Sequence, residues 1–187
     1  MLLDQLRDFE WLNEPAEVNF SDGGMSVLAV KGSDFWQNKT RRVKKDDGHF
    51  FFARKCGNFS LVVQWHFSPM CDSQQCGLMV RFDEQNWAKL SIMTDNPDFP
   101  KLGSCVCNSG YTDWASQAIA PDICDIWFMI KRINGDYLMF YSTDGLSFRQ
   151  IRLFNFINED VEIKAGAYIC SPKSEGFEAV LNKIDFD

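Results

Sequence analysis

Histidine is scarce in this chain: His49 and His66 are the only two in 187 residues. No Ser-His-Asp or Cys-His arrangement is legible, and there is no glycine-rich phosphate loop. Seven cysteines occur, Cys56, Cys71, Cys76, Cys105, Cys107, Cys124 and Cys170. Neither Cys71/Cys76 nor Cys105/Cys107 has zinc-ribbon spacing, so no metal or cofactor is expected and the thiols read as buried or structural. Positive charge is in deficit, with 19 Lys+Arg against 26 Asp+Glu and a net charge of −7. The basic run Arg41-Arg42-Val43-Lys44-Lys45 is followed at once by Asp46-Asp47. It reads as a solvated loop, which argues against nucleic acid as a partner. No apolar run approaches the ~20 residues of a membrane helix. The opening MLLDQLRDFEWL carries Asp4 and Asp8 and lacks the apolar stretch of a secretory leader. Together with an odd cysteine count, that predicts reduced thiols, a cytoplasmic location and no membrane partner.

Helical periodicity is also missing, apart from a turn or two in LLDQLRDFEWL. What is abundant is aromatic: 17 Phe, 6 Trp and 4 Tyr, a composition that favours sheets. Alternating segments run through the chain. The stretches 16–20, 25–30, 49–53, 60–67, 126–133, 136–141, 147–153, 164–170 and 177–186 read as strands. Asn134-Gly135, between two apolar runs, is the signature of a type I′ hairpin turn. Segments 31–47, 95–101 and 115–124 read as long loops of the kind that line binding sites. The pattern predicts an all-β, antiparallel two-sheet β-sandwich, one domain over residues 1–187.

The stretch Cys76 to Met93, CGLMVRFDEQNWAKLSIM, carries the most chemistry. Pairing Arg81 with Trp87 and Met79 with Lys89 keeps Leu78, Val80, Phe82, Ala88, Leu90 and Ile92 on one apolar face, which selects that register. The other face then gathers Met79, Arg81, Trp87, Lys89, Ser91 and Met93. An indole flanked by fixed donors suits a sugar ring, with its apolar C–H patches and polar rim. The plain alternative is that Arg and Lys stems cover a surface Trp, or that a loop packs over it.

Seven motifs in order carry a resemblance along almost the whole chain. They are Asp34-Phe35-Trp36, Asp47-Gly48-His49-Phe50, Gln75 to Arg81, Asn86-Trp87-Ala88-Lys89, Asn108 to Trp114 (NSGYTDW), Tyr141 to Gly145 (YSTDG) and Gly166 to Pro172 (GAYICSP). Their order and spacing resemble a concanavalin-like family of unknown function that includes a yeast protein named for regulation of enolase. The resemblance implies a jelly roll of two antiparallel sheets. The family often reads N-W-x-K-x-G-x-E where this chain has Ser91 and Met93, and Thr where it has Cys107. A role resting on that glutamate is therefore in doubt here.

Two function classes follow. In the leading one, a cytosolic carbohydrate- or sugar-metabolite-binding domain with a regulatory role displays Trp36, His49, Gln75, Arg81, Trp87, Lys89, Asn108, Tyr111, Asp113 and Trp114. In the other, a glycoside-processing enzyme uses His49 or Asp113 as acid or base. The paired-carboxylate pattern E-x-D-x-x-E of glucanases is absent, which favours binding. A regulator that binds a glycolytic enzyme such as enolase is the further alternative.

Overall fold

The computed structural model describes residues 6–21, 23–68, 71, 73–94, 96, 98–156 and 162–187. Sixteen strands follow one another: β1 (Glu10–Leu12), β2 (Glu17–Ser21), β3 (Gly24–Val30), β4 (Phe35–Asn38), β5 (Val43–Asp46), β6 (His49–Lys55), β7 (Phe59–Phe67) and β8 (Gln74–Arg81) come first. The second half holds β9 (Trp87–Thr94), β10 (Lys101–Asn108), β11 (Tyr111–Ala118), β12 (Asp125–Ile133), β13 (Asp136–Ser142), β14 (Arg149–Asn155), β15 (Ile163–Cys170) and β16 (Gly176–Phe186). Among the described residues no helix occurs, and hence none crosses a membrane.

Two seven-stranded antiparallel sheets pack as a jelly-roll sandwich. The first has the order β1-β6-β15-β8-β9-β10-β11, and the second β14-β13-β12-β7-β16-β3-β2. The shared core is what alternation predicts. Leu78, Val80, Ala88, Leu90 and Ile92 from the first sheet meet Leu61, Val63, Trp65, Ile126, Phe128 and Ile130 from the second. The Trp65 indole N–H crosses the sandwich to the Gly77 carbonyl at 2.9 Å, so its one polar group stays satisfied in the apolar interior. Asn134 and Gly135 both take positive φ, 50° and 90°, as the β12–β13 turn requires.

Three segments depart from the sequence reading. The opening segment is a turn at residues 6–8 followed by strand β1, which pairs with β6; residues 2–5 of it lie outside the described residues. The presumed loop 31–47 contains a two-stranded ribbon, β4 paired with β5. Residues 101–108 and 111–118 form a hairpin that ends the first sheet, so the third predicted loop starts only after Ala118.

Candidate functional site

The Cys76–Met93 hairpin adopts the register that its pattern selects, Arg81 opposite Trp87 and Met79 opposite Lys89. Neighbouring strands extend its outward face: Tyr168 lies opposite Gly77, Cys105 opposite Lys89 and Cys107 opposite Trp87. That face is covered. The β4–β5 ribbon lies on it and inserts Phe35, which is wholly buried with Phe50, Phe52, Met79, Trp87 and Tyr168 in a second core. The Phe35 and Tyr168 rings meet edge to face, centroids 6.4 Å apart. Trp87 and Lys89 are each 1% exposed. The Trp-Arg-Lys face is thus a sealed interior, reached by a ligand only if the ribbon lifts.

Two ion pairs fasten the ribbon. The Arg81 guanidinium donates to both oxygens of Asp46, at 2.6 and 2.9 Å. Lys89 Nζ reaches Asp34 Oδ1 at 3.3 Å and Gln75 Oε1 at 3.2 Å, and the Tyr168 hydroxyl donates to the same Gln75 oxygen. Burial works against the Lys89 charge, but Asp34, together with the neighbouring Cys170 and Cys105, outweighs it and holds the pKa above its ordinary value. Taking such ions out of water is tolerable only because each finds its partner. The thiols beside them are inert: burial pushes Cys105 up to about 12 and Cys107 to about 11, far above the range of a nucleophilic thiolate.

The two acid–base candidates stand elsewhere. His49 shares the alternation of Phe51, which faces the main core. Its Nε2 accepts the Val30 N–H at 3.0 Å, and its Nδ1 lies 2.7 Å from the Asn13 carbonyl. That pair of partners fixes a neutral imidazole protonated on Nδ1, and burial lowers its pKa. Both ring nitrogens are engaged in holding chain segments together. Asp113 lies opposite Val106, a main-core residue, so it alternates away from Trp114, which lies opposite Cys105. Its carboxylate is exposed and pairs with Arg152 of β14 at 3.1 Å, clipping the margins of the two sheets together. β6 and β11 are separated by four strands, roughly 24 Å at ordinary strand spacing. His49 and Asp113 cannot act on one bond.

The remaining candidates cluster at the β10–β11 hairpin. Asn108 is half-buried beside the Ser109-Gly110 turn, and exposed Tyr111 carries Lys39 Nζ 5.4 Å from its ring centre. Trp114 lies across Gly103, where a Cβ would come within 2.2 Å of the indole. Trp36, on the ribbon, meets Trp114 edge to face at 6.4 Å. Both indoles are half-buried, not sealed. Ser116 follows Trp114 on the same side, opposite Gly103. Beyond it opens a cleft of about 430 Å³ lined by Asp98, Phe99, Lys101, Ser116 and Gln117 among others, with the Phe99 ring 68% exposed. Met93, where family members often carry an acid, is in register between Gln75 and Lys101.

Sequence reasoning nominated Trp36 but passed over Asp34, Phe35 and Asp46, which close the second core. It also passed over Phe99, Lys101 and Ser116. The ribbon carries no alternating signal of its own, because β5 reads VKKD.

The two packed sheets with a capped outer face define a jelly-roll module of the concanavalin-like type. The sequence matches the protein family of unknown function DUF1349 over residues 11–187, and the chain belongs to that family. It is 25% identical over 179 residues to "Regulation of enolase protein 1" of Saccharomyces cerevisiae (strain ATCC 204508 / S288c), covering 96% of this chain and 89% of that protein. A crystal structure of a functionally unknown protein from Saccharomyces cerevisiae superposes with a TM-score of 0.89 at 24% identity, covering 97% of each chain. The GH43 protein BlXynB from Bacillus licheniformis shares the fold at a TM-score of 0.74 and 13% identity, over 96% of this chain but only 36% of that one.

Proposed function

We propose that the chain is a carbohydrate- or sugar-metabolite-binding module with a regulatory role in cytoplasmic carbohydrate metabolism. Its ligand lies on the open surface running from Trp36 and Trp114 to the Phe99 cleft. The observation that carries this is the Trp36–Trp114 pair, half-exposed and held at a fixed angle beside a cleft that supplies Lys101, Ser116 and Gln117. Rigid aromatic faces next to a few polar groups match the C–H patches and hydroxyls of a sugar ring. Arg81, Trp87, Lys89 and Gln75 serve this surface from below by fastening the ribbon that carries Trp36. Two relationships lend support: the yeast relative is named for regulation of enolase, and the fold forms part of GH43 glycoside hydrolases.

The test is a sugar and oligosaccharide screen read by protein NMR. A binding sugar shifts the amides of residues 101–103 and 114–118, and Trp114→Ala abolishes the effect while the rest of the spectrum stays folded. Absence of any binder, or a binder indifferent to Trp114→Ala and Trp36→Ala, overturns the reading. The relative's name supports a second reading, a contact with a glycolytic enzyme such as enolase. Titration of purified enolase into the labelled chain tests it, and an unchanged spectrum rejects it.

A further inference from the structure

The YSTDG turn between β13 and β14 and the loop that follows β11 face each other across a cleft of about 420 Å³. Ala118, Ile119 and Ile123 belong to its apolar wall, and Tyr141, Thr143, Asp144 and Arg149 to its polar one. Both walls are held in place. Ile119, Ile123 and Tyr141 pack against the main core. The Ile119 N–H donates to the Pro100 carbonyl at 3.2 Å, and the Cys124 carbonyl accepts the Phe67 N–H at 2.9 Å. Asp144 Oδ1 accepts the Ser142 hydroxyl at 2.7 Å and the Leu146 and Ser147 N–H groups at 2.8 Å each, which locks the turn. Among the described residues none bonds to the Tyr141 hydroxyl, the Thr143 hydroxyl or the Arg149 guanidinium. The cleft is therefore preformed, with unused polar groups along one wall.

Its position matters as much as its lining. Ala118 and Ile119 also line the Phe99 cleft, so the two clefts meet at this segment. Trp114, Ser116 and Ala118 alternate to one side of β11, and the run from Trp114 to Ala118 covers about 13 Å. One sugar ring cannot reach across that distance. Each cleft holds one acid and one base, Asp98 with Lys101 in the first and Asp144 with Arg149 in the second. That balance suits a neutral ligand rich in hydroxyls better than an ion. We propose that the sugar-binding surface continues over Ala118 and Ile119 into the Tyr141–Arg149 cleft, and that its ligand is a linear, uncharged oligosaccharide. This rests on the sugar-binding role of Trp36 and Trp114 and extends it. One ring lies against the tryptophans and the chain crosses the Phe99 cleft. A distant ring reaches Tyr141, Thr143 and Arg149, which supply hydrogen bonds to its hydroxyls.

The experiment titrates linear hexaoses of glucose, mannose and xylose, each beside its monosaccharide, into the full chain and follows amide shifts. A binding hexaose is expected to move residues 114–118 and 141–149 together, and to bind at least about tenfold tighter than its monosaccharide. Arg149→Ala weakens the hexaose about tenfold and Tyr141→Phe severalfold, while neither touches the monosaccharide. Gln150, next to Arg149 but in register with Phe140, is the control, and Gln150→Ala changes neither affinity. Three results overturn the inference and leave the Trp36–Trp114 site standing: a hexaose that binds no tighter than its monosaccharide, residues 141–149 unmoved, or equal losses from Gln150→Ala and Arg149→Ala. A hexaose indifferent to Trp114→Ala, or no binding by any of the three up to about 10 mM, overturns both.

Discussion

The sheet that contains β8 and β9 buries both of its faces, in opposite ways. Its inner face meets another sheet and is apolar throughout, with Leu78, Val80, Ala88, Leu90 and Ile92 excluding water without directional bonds. Its outer face meets only a two-stranded ribbon, too small to supply an apolar layer of its own. There Phe35 provides the wedge, while Arg81–Asp46 and Lys89–Asp34 provide the registration. An apolar layer tolerates repacking. An ion-paired one fixes which residue of the ribbon sits over which residue of the sheet, because each misplaced charge is stranded without water. Both cores hold the domain together, and the second also fixes where the ribbon sits on the sheet.

The sharpest challenge to this contrast is Trp87→Ala. A sealed indole costs about 3–5 kcal/mol when removed, so urea unfolding should show a loss comparable to that of Leu90→Ala; a loss below about 1 kcal/mol would make the outer face mere surface. Next comes Asp46→Ala, which leaves Arg81 without its bidentate partner and is expected to cost about 3 kcal/mol. The double change Arg81→Met/Asp46→Leu, measured the same way, should recover most of it. If the double variant stays as weak as the single, the pair does more than compensate its own burial.

A third effect depends on pH. His49 is held neutral and its folded pKa lies below the ordinary value of 6.5, so the unfolded chain takes up the proton first. Its contribution is complete above about pH 6.5 and is lost as pH falls towards the lower folded value, at a slope of up to about 1.4 kcal/mol per unit. Calorimetry across pH 7 to 5 should show that acid sensitivity, and His49→Gln should flatten it. The smallest effect is expected at Asp113, an exposed partner of Arg152. Asp113→Asn should change stability by less than about 0.5 kcal/mol, and a larger loss would show that the clip between the sheet margins matters more than its exposure implies.

The sandwich was legible because its strands are amphipathic in the period-2 sense. The pairing of Arg81 with Trp87 followed from keeping six apolar residues together, and the β12–β13 hairpin from Asn134-Gly135. The ribbon was not legible, because β5 reads VKKD and has no apolar face of its own. What orders it is contact with residues 35 and 55 positions away, Asp46 with Arg81 and Asp34 with Lys89. The same limit hid the role of His49, whose partners Val30 and Asn13 belong to other segments. Alternation sends Asp113 and its neighbour Trp114 to opposite faces, so their adjacency in the sequence does not make one site. The mixed outer face was foreseen, as was the plain alternative that a loop packs over it. The choice between groove and interior depended on a segment whose own residues do not announce a fold.

Trp65 and Trp87 place one indole in each core, both 1% exposed. Buried indoles emit at shorter wavelength than hydrated ones, so each residue is a fluorophore whose colour records whether water has entered its own layer. Variants that keep one of the two and replace the other tryptophans by phenylalanine would report separately when the sheets part and when the ribbon lifts. The chain thus carries an optical clock for each of its two interiors.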